Sequence, residues 1–189
     1  FGYKMRNCEN IILTKAKLLN NSNNLGVLGP SLFAGEQAWL GLDPQVLNTS
    51  YHEFFELFKS LNPLIKNRPN FTICDLGAGY ARMGLFLHYL YPDILYHGIE
   101  LVPERVDEVK RVYQLHHCHK AKIEVNDIQA KEFIYPEANL YFLYDYGTNN
   151  AIFATLKQLS LLKNNELIVA MGSRTLKIIN EEFSNLIRI

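Results

Sequence analysis

The sequence predicts an α/β fold, a doubly wound, mostly parallel sheet with an N-terminal helical cap. Three observations carry that prediction. From residue 70 onward, short β-prone runs alternate with segments of helical period, the pattern of βαβ units. Two glycines one residue apart, Gly77 and Gly79, part the first such run from the first such helix. Ahead of them, residues 1–69 show helical spacing and polar breaks but no long linker, which suits a cap on one 1–189 domain whose core is 70–189.

Taken in order, Cys8–Leu19 places Ile11, Ile12, Ala16 and Leu19 at near-helical spacing, and Asn20–Asn24 is a polar break. Leu25–Leu42, apolar and glycine-rich around Trp39, reads as an ordered covering loop, and Asp43-Pro44 as a helix start. Ser50-Tyr51-His52-Glu53 is a capping box opening a helix to Leu61 that buries Phe54, Phe55, Leu57, Phe58 and Leu61. Phe71–Cys74 is the first strand. Tyr80–Leu90 is a helix with Met83, Phe86, Leu87 and Leu90 inward, and Ile94–Ile99 is the second strand, closed by Glu100. Pro103-Glu104 opens a helix with Val106, Val109, Val112 and Tyr113 inward and a solvated charged face of Arg105, Asp107, Glu108, Lys110 and Arg111. His116-His117-Cys118-His119 ends it. Four consecutive residues cannot all face one ion, so no metal site is predicted. Lys122–Val125 is a third strand ending in Asn126-Asp127, and Leu140–Tyr144 a fourth ending in Asp145-Tyr146-Gly147. A helix from Asn150 to Leu162, a fifth strand Glu166–Met171, a helix capped by Ser173 and the start of a sixth strand at Leu186–Ile189 follow.

At 189 residues and 48% hydrophobic composition the chain is long enough for a sizeable core. Its 19 basic and 19 acidic residues cancel, so no overall basic field draws it to nucleic acid or acidic membrane. No apolar run approaches the ~18–20 residues of a spanning helix. The start, FGYKMRN, lacks a signal-peptide layout and an initial Met, as expected of a fragment or processed form. Three distant cysteines, with Cys74 expected to be a buried thiol, point to a reducing, cytoplasmic setting.

The glycine turn carries the chemistry. Glycines after a parallel strand let the backbone approach a ligand that a Cβ would keep away. A carboxylate about twenty residues on, at the next strand's tip, is placed to accept hydrogen bonds from ribose hydroxyls. The dinucleotide pattern G-x-G-x-x-G fails, because its last position is Arg82, and no triphosphate loop is present. Asp75, two residues before Gly77, repels a pyrophosphate but attracts an ammonium. A ligand with a ribose and a cationic amino group fits, and S-adenosylmethionine is one.

With Asp75, Gly77, Gly79 and Glu100 in place, the sequence resembles the class I S-adenosylmethionine-dependent methyltransferases, with Ala81 replacing the motif's third glycine. The resemblance implies that Asp75 and Gly77-Ala78-Gly79 hold the cofactor's amino-acid end, Glu100 its ribose and Asp127 its adenine. It also implies that the fourth-strand tip faces the methyl group, making Asp145 and Tyr146 the candidate catalytic residues. A narrower resemblance, to the Dot1-like methyltransferases, spans about Thr49 to Gly172 and rests on Ser50-Tyr51-His52-Glu53, Asp75–Gly79, Ile99-Glu100 and Asn126-Asp127-Ile128. It implies that Glu53 reaches back to the cofactor and that Tyr51 lines the pocket. Tyr144–Gly147 departs from that group's fourth-strand segment, and no basic tail is present to hold a nucleosome, so the histone substrate is not carried over. The family's sheet has seven strands; here the last hairpin is expected to be truncated or replaced by the cap. The implied activity is methyl transfer to an acceptor, protein lysine ahead of small molecule and nucleic acid. The rivals are a non-catalytic S-adenosylmethionine-binding or interaction module and a nicotinamide-dependent oxidoreductase, the latter opposed by Asp75 and Arg82.

Overall fold

The computed structural model describes residues 2–20, 49–66, 68–162 and 167–183. Its elements are α1 (Met5–Asn20), α2 (Tyr51–Ile65), β1 (Thr72–Leu76), α3 (Arg82–Leu90), β2 (Leu95–Glu100), α4 (Pro103–Leu115), β3 (Ala121–Val125), β4 (Leu140–Tyr144), α5 (Asn149–Leu159), β5 (Leu167–Met171) and α6 (Ser173–Glu182). The strands form one sheet in the order β3-β2-β1-β4-β5, every pair parallel. Strands β1 and β4, TICDL and LYFLY, are nearly continuous buried runs, as strands between two helical layers are. The chain first walks outward from β1 to β3, then returns to the other side of β1. That reversal opens a crevice at the strand tips between β1 and β4.

Side-chain alternation sorts the core into two layers. Ile73, Leu140 and Phe142 point into a cluster with residues of α1, α2, α3 and α4. Cys74, Leu76, Tyr141 and Leu143 point the other way, among residues of α5, α6 and the β3–β4 connection. That connection, residues 126–139, contains no helix. Ile128 and Ala138 are buried there, with Phe133 and Tyr135 packed against them in the helix's place.

Helix α2 runs to Ile65, past Pro63 and beyond the expected end at Leu61. Pro63 has no N–H to bond the Lys59 carbonyl, so the last turn is held by its packing and by the Lys66 N–H bond to the Asn62 carbonyl at 2.8 Å. The extra turn buries Ile65 in line with Phe54, Phe58 and Leu61, while Phe55 is 50% exposed. The Phe58 ring lies 5.5 Å from that of Phe86 and 5.3 Å from that of Tyr91, tying α2 to α3. Helix α1 turns Cys8, Glu9 and Ile12 inward and leaves Ile11 exposed, so its buried face differs from the one expected. Leu90 is likewise exposed. All three cysteines are free and buried. No helix among the described residues is long and apolar enough to cross a membrane. The expected Leu25–Leu42 loop, the helix start at Asp43-Pro44, Glu166 and the strand at Leu186–Ile189 lie outside the described residues.

Phe58→Ala should lower unfolding free energy by about 3–5 kcal/mol in a urea titration, because it empties a fully buried aromatic site. A loss below about 1 kcal/mol would mean that α2 does not pack on α3 as described.

Candidate functional site

The crevice is bordered by the turn between β1 and α3. Gly77 and Gly79 stand at φ of 80° and 56°, a left-handed region that glycine enters without cost. The N–H groups of Gly77 and Ala78 both donate to the Ile99 carbonyl, at 3.0 and 2.9 Å, which hangs the turn on the end of β2. A Cβ on Gly77 would also stand 2.5 Å from Cβ of Tyr146. Ala81 is left-handed too, at φ 43°. The alanine costs roughly 1–2 kcal/mol in that conformation, which glycine would adopt freely.

Two carboxylates flank the turn. Asp75 is 6% exposed, and Tyr96 donates to its Oδ2 at 2.6 Å. Burial pushes its pKa up to about 7, with the Tyr96 hydrogen bond opposing and the Glu100 charge adding to the rise. Its Oδ1 has no hydrogen-bond partner among the described residues. Glu100 accepts from Gly79 N at 2.8 Å and from Val102 N at 3.0 Å. Arg105 Nη1 approaches Glu100 Oε1 at 3.5 Å. The same guanidinium grips Glu9 of α1 through Nε and Nη2, at 2.8 and 3.3 Å, and Tyr80 of the turn donates to Glu9 at 2.8 Å. Glu9, Arg105 and Glu100 are only 3%, 4% and 5% exposed. Burial opposes the Arg105 charge, but the two carboxylates more than offset it and hold its pKa up.

Arg105 was expected on a solvated face with Glu108, and both are buried. The signal was available: Arg105 precedes Val109 by four residues and Val112 by seven, so it lies on the apolar stripe. Glu9 carried no comparable signal, since its partner is 96 residues away.

The other expected residues divide. Asp127 is half-buried beside the β2 tip, since its neighbour Asn126 donates to the Glu100 carbonyl at 3.0 Å. Its Oδ1 accepts from Gln129 N at 2.8 Å. Glu53 completes the capping box, accepting from Ser50 N at 2.7 Å. Tyr51 lies under the Arg82 guanidinium, 4.1 Å from ring centre to Cζ, and Arg82 also donates to the Thr49 carbonyl.

Asp145 and Tyr146 turn toward the opposite layer. The Asp145 carboxylate accepts from Thr175 N and Thr175 Oγ1, both at 2.8 Å, and from Arg174 N at 3.3 Å. It thereby caps α6, whose N-cap residue is Gly172 and has no side chain to do so; Ser173, expected as the cap, is the first helical residue. The Tyr146 hydroxyl bonds Thr155 of α5 and receives Gln129 Nε2 at 3.3 Å. Burial raises its pKa, so the phenol stays protonated at neutral pH. Both groups are thus engaged with the helices behind β4. The β4-tip residue on the same face as Asp75 is Tyr144, which sequence reasoning passed over. Among the described residues no group of three or more His, Cys, Asp or Glu is placed to hold a metal ion.

Arg105→Met would leave Glu9 and Glu100 buried together without a counter-charge. It should cost about 3–5 kcal/mol of stability by urea denaturation, and Arg105→Lys less. An Arg105→Met protein as stable as the parent would contradict the triad.

No protein-family model matches the sequence, and no curated protein matches it. Solved structures do. A precorrin-6y C5,15-methyltransferase from Geobacter metallireducens GS-15 superposes with a TM-score of 0.52 at 16% identity, over 69% of this chain and 70% of its own. The PH0226 protein from Pyrococcus horikoshii OT3 gives 0.48 at 13% identity, over 75% and 67%. A SAM-dependent methyltransferase from Geobacter sulfurreducens, in complex with S-adenosyl-L-homocysteine, gives 0.46 at 16% identity, over 61% and 47%. The first superposition, with the sheet order and the glycine turn, shows that the chain has the class I methyltransferase fold.

Proposed function

We propose that the chain binds S-adenosylmethionine at the strand tips and transfers its methyl group to an acceptor, protein lysine ahead of small molecule and nucleic acid. One observation carries the reading above the rest. Asp75 is a buried carboxylate with one open oxygen, on a strand that ends in a left-handed glycine turn beside a second buried carboxylate, Glu100. Those two acceptors fit a ligand with an ammonium at one end and ribose hydroxyls at the other.

In this reading Asp75 meets the ammonium, and Gly77 to Gly79 give the amino-acid end close approach to backbone. Glu100 takes the ribose hydroxyls and Asp127 the adenine amino group. Bound S-adenosylmethionine supplies a methyl group already activated by the sulfonium charge. The protein's own share is alignment and exclusion of water. Asp145 and Tyr146, engaged with α6 and α5, act here as positioning residues for the β4 tip.

Their engagement also favours a second reading, a non-catalytic S-adenosylmethionine-binding or interaction module. Release of S-adenosylhomocysteine from the purified chain with acceptor-rich lysate separates the two. Turnover supports the enzyme; tight cofactor binding without turnover supports the module.

Two outcomes test the cofactor site. Glu100→Gln keeps the shape of the carboxylate but weakens its acceptance of ribose hydroxyls. Its calorimetric affinity for S-adenosylhomocysteine should fall about tenfold or more, a loss on the order of the 1.5–3 kcal/mol of charged hydrogen bonds. Unchanged affinity would remove Glu100 from the site. The second is pH. Asp75 is held protonated up to about pH 7, whereas an ammonium favours the carboxylate. Binding therefore releases a proton, and affinity should rise with pH from about 5.5 to 7.5. Asp75→Asn should lose that slope. A flat wild-type profile would contradict the contact.

A further inference from the structure

Tyr144 ends β4 and is 39% exposed. Register places it. Phe142 lies directly opposite Asp75, so both side chains share one face of the sheet, and Tyr144, two residues on, shares it too. This is the face covered by α2: the rings of Phe54 and Phe142 are 6.5 Å apart. Glu53, the residue before Phe54, lies in the first turn of α2, on the helix that this contact brings against β4. After burial, its charge is the next largest influence raising the Tyr144 phenol, with Asp145 following.

Most of the hydrogen-bonding capacity of this pair is unused by the described residues. Among the described residues the Tyr144 hydroxyl makes no hydrogen bond, and Glu53 uses only Oε2, on Ser50 N. The nearby cations are engaged elsewhere: Arg82 with Thr49 and Tyr51, Arg174 with Asp145 and Gly147. Among the described residues the pair thus presents an aromatic ring and a carboxylate oxygen with no hydrogen-bonded cation on either. That combination selects a cationic nitrogen, through the ring face and through charge.

We propose that Tyr144 and Glu53 form the acceptor subsite of the crevice and that the acceptor they take is an amine. The inference rests on the methyl-transfer reading above. The ammonium docks between ring and carboxylate and gives a proton to water. The nitrogen lone pair then forms the new N–C bond while the C–S bond pair returns to sulfur, leaving S-adenosylhomocysteine and the methylated ammonium, which carries the charge the sulfonium lost.

The test is an NMR titration of the full chain, free and loaded with S-adenosylhomocysteine, with n-butylammonium and with its neutral counterpart n-butanol. Tyr144→Leu and Glu53→Gln are measured beside it. Gln at Glu53's position keeps the capping box, and Tyr144 is exposed, so neither variant threatens the fold. Wild type should bind n-butylammonium about tenfold more tightly than n-butanol. Each variant should lose most of that preference, and Tyr144→Leu should leave S-adenosylhomocysteine affinity within about twofold. Equal affinity for the two probes, or variants that keep the preference, would overturn the subsite even if S-adenosylhomocysteine binds. If S-adenosylhomocysteine fails to bind but the free chain shows a preference lost in both variants, the subsite stands and the cofactor reading falls.

Discussion

The buried contact of Arg105 with Glu9 and Glu100 is the constraint on which the rest of the site depends. It spans the N-terminal helix, the first residues of α4 and the tip of β2. Through Glu100 it also reaches the glycine turn, because Gly79 donates to the same carboxylate. One guanidinium thus sets where α1 docks and where the turn stands relative to β2. Buried charges of this kind are expensive unless every partner is present, so the arrangement is all-or-none. The triad carries one net negative charge in a region that already holds Asp75, whose carboxyl is pushed toward neutrality.

Strand alternation divides the tips into two kinds of work. Residues on the α2 side, Asp75, Glu100 and Tyr144, face the crevice. Residues on the other side, Asp145 and Tyr146, fasten β4 to the two helices behind it. A Cβ added at Gly172 would stand 2.3 Å from Cγ of Asp145, which shows how closely that fastening is packed. The rigidity of the back holds the front residues where a ligand would meet them.

What the sequence revealed and what it hid follow from range. The glycine turn, Asp75, Glu100 and the capping box at Ser50 are local patterns, each decided within a few residues, and all were readable. The placing of Tyr144 on the same face as Asp75 was not, because it depends on the register that sets Asp75 opposite Phe142, and register is a property of the folded sheet. Ser173 looked like a cap because local chemistry favours serine there. The actual acceptor arrives from a strand tip 30 residues away. Arg105 was legible in its helical stripe but was outweighed by its charge, and Glu9 became meaningful only once α1 was docked.

The central claim is that the strand tips form one cofactor site, and amide hydrogen exchange with and without S-adenosylhomocysteine tests its location most directly. Protection should appear together at residues 75–81, 100–105 and 126–129 and be absent from the strand-bottom turn at residues 91–94. Protection elsewhere, or none at saturating ligand, would contradict the account.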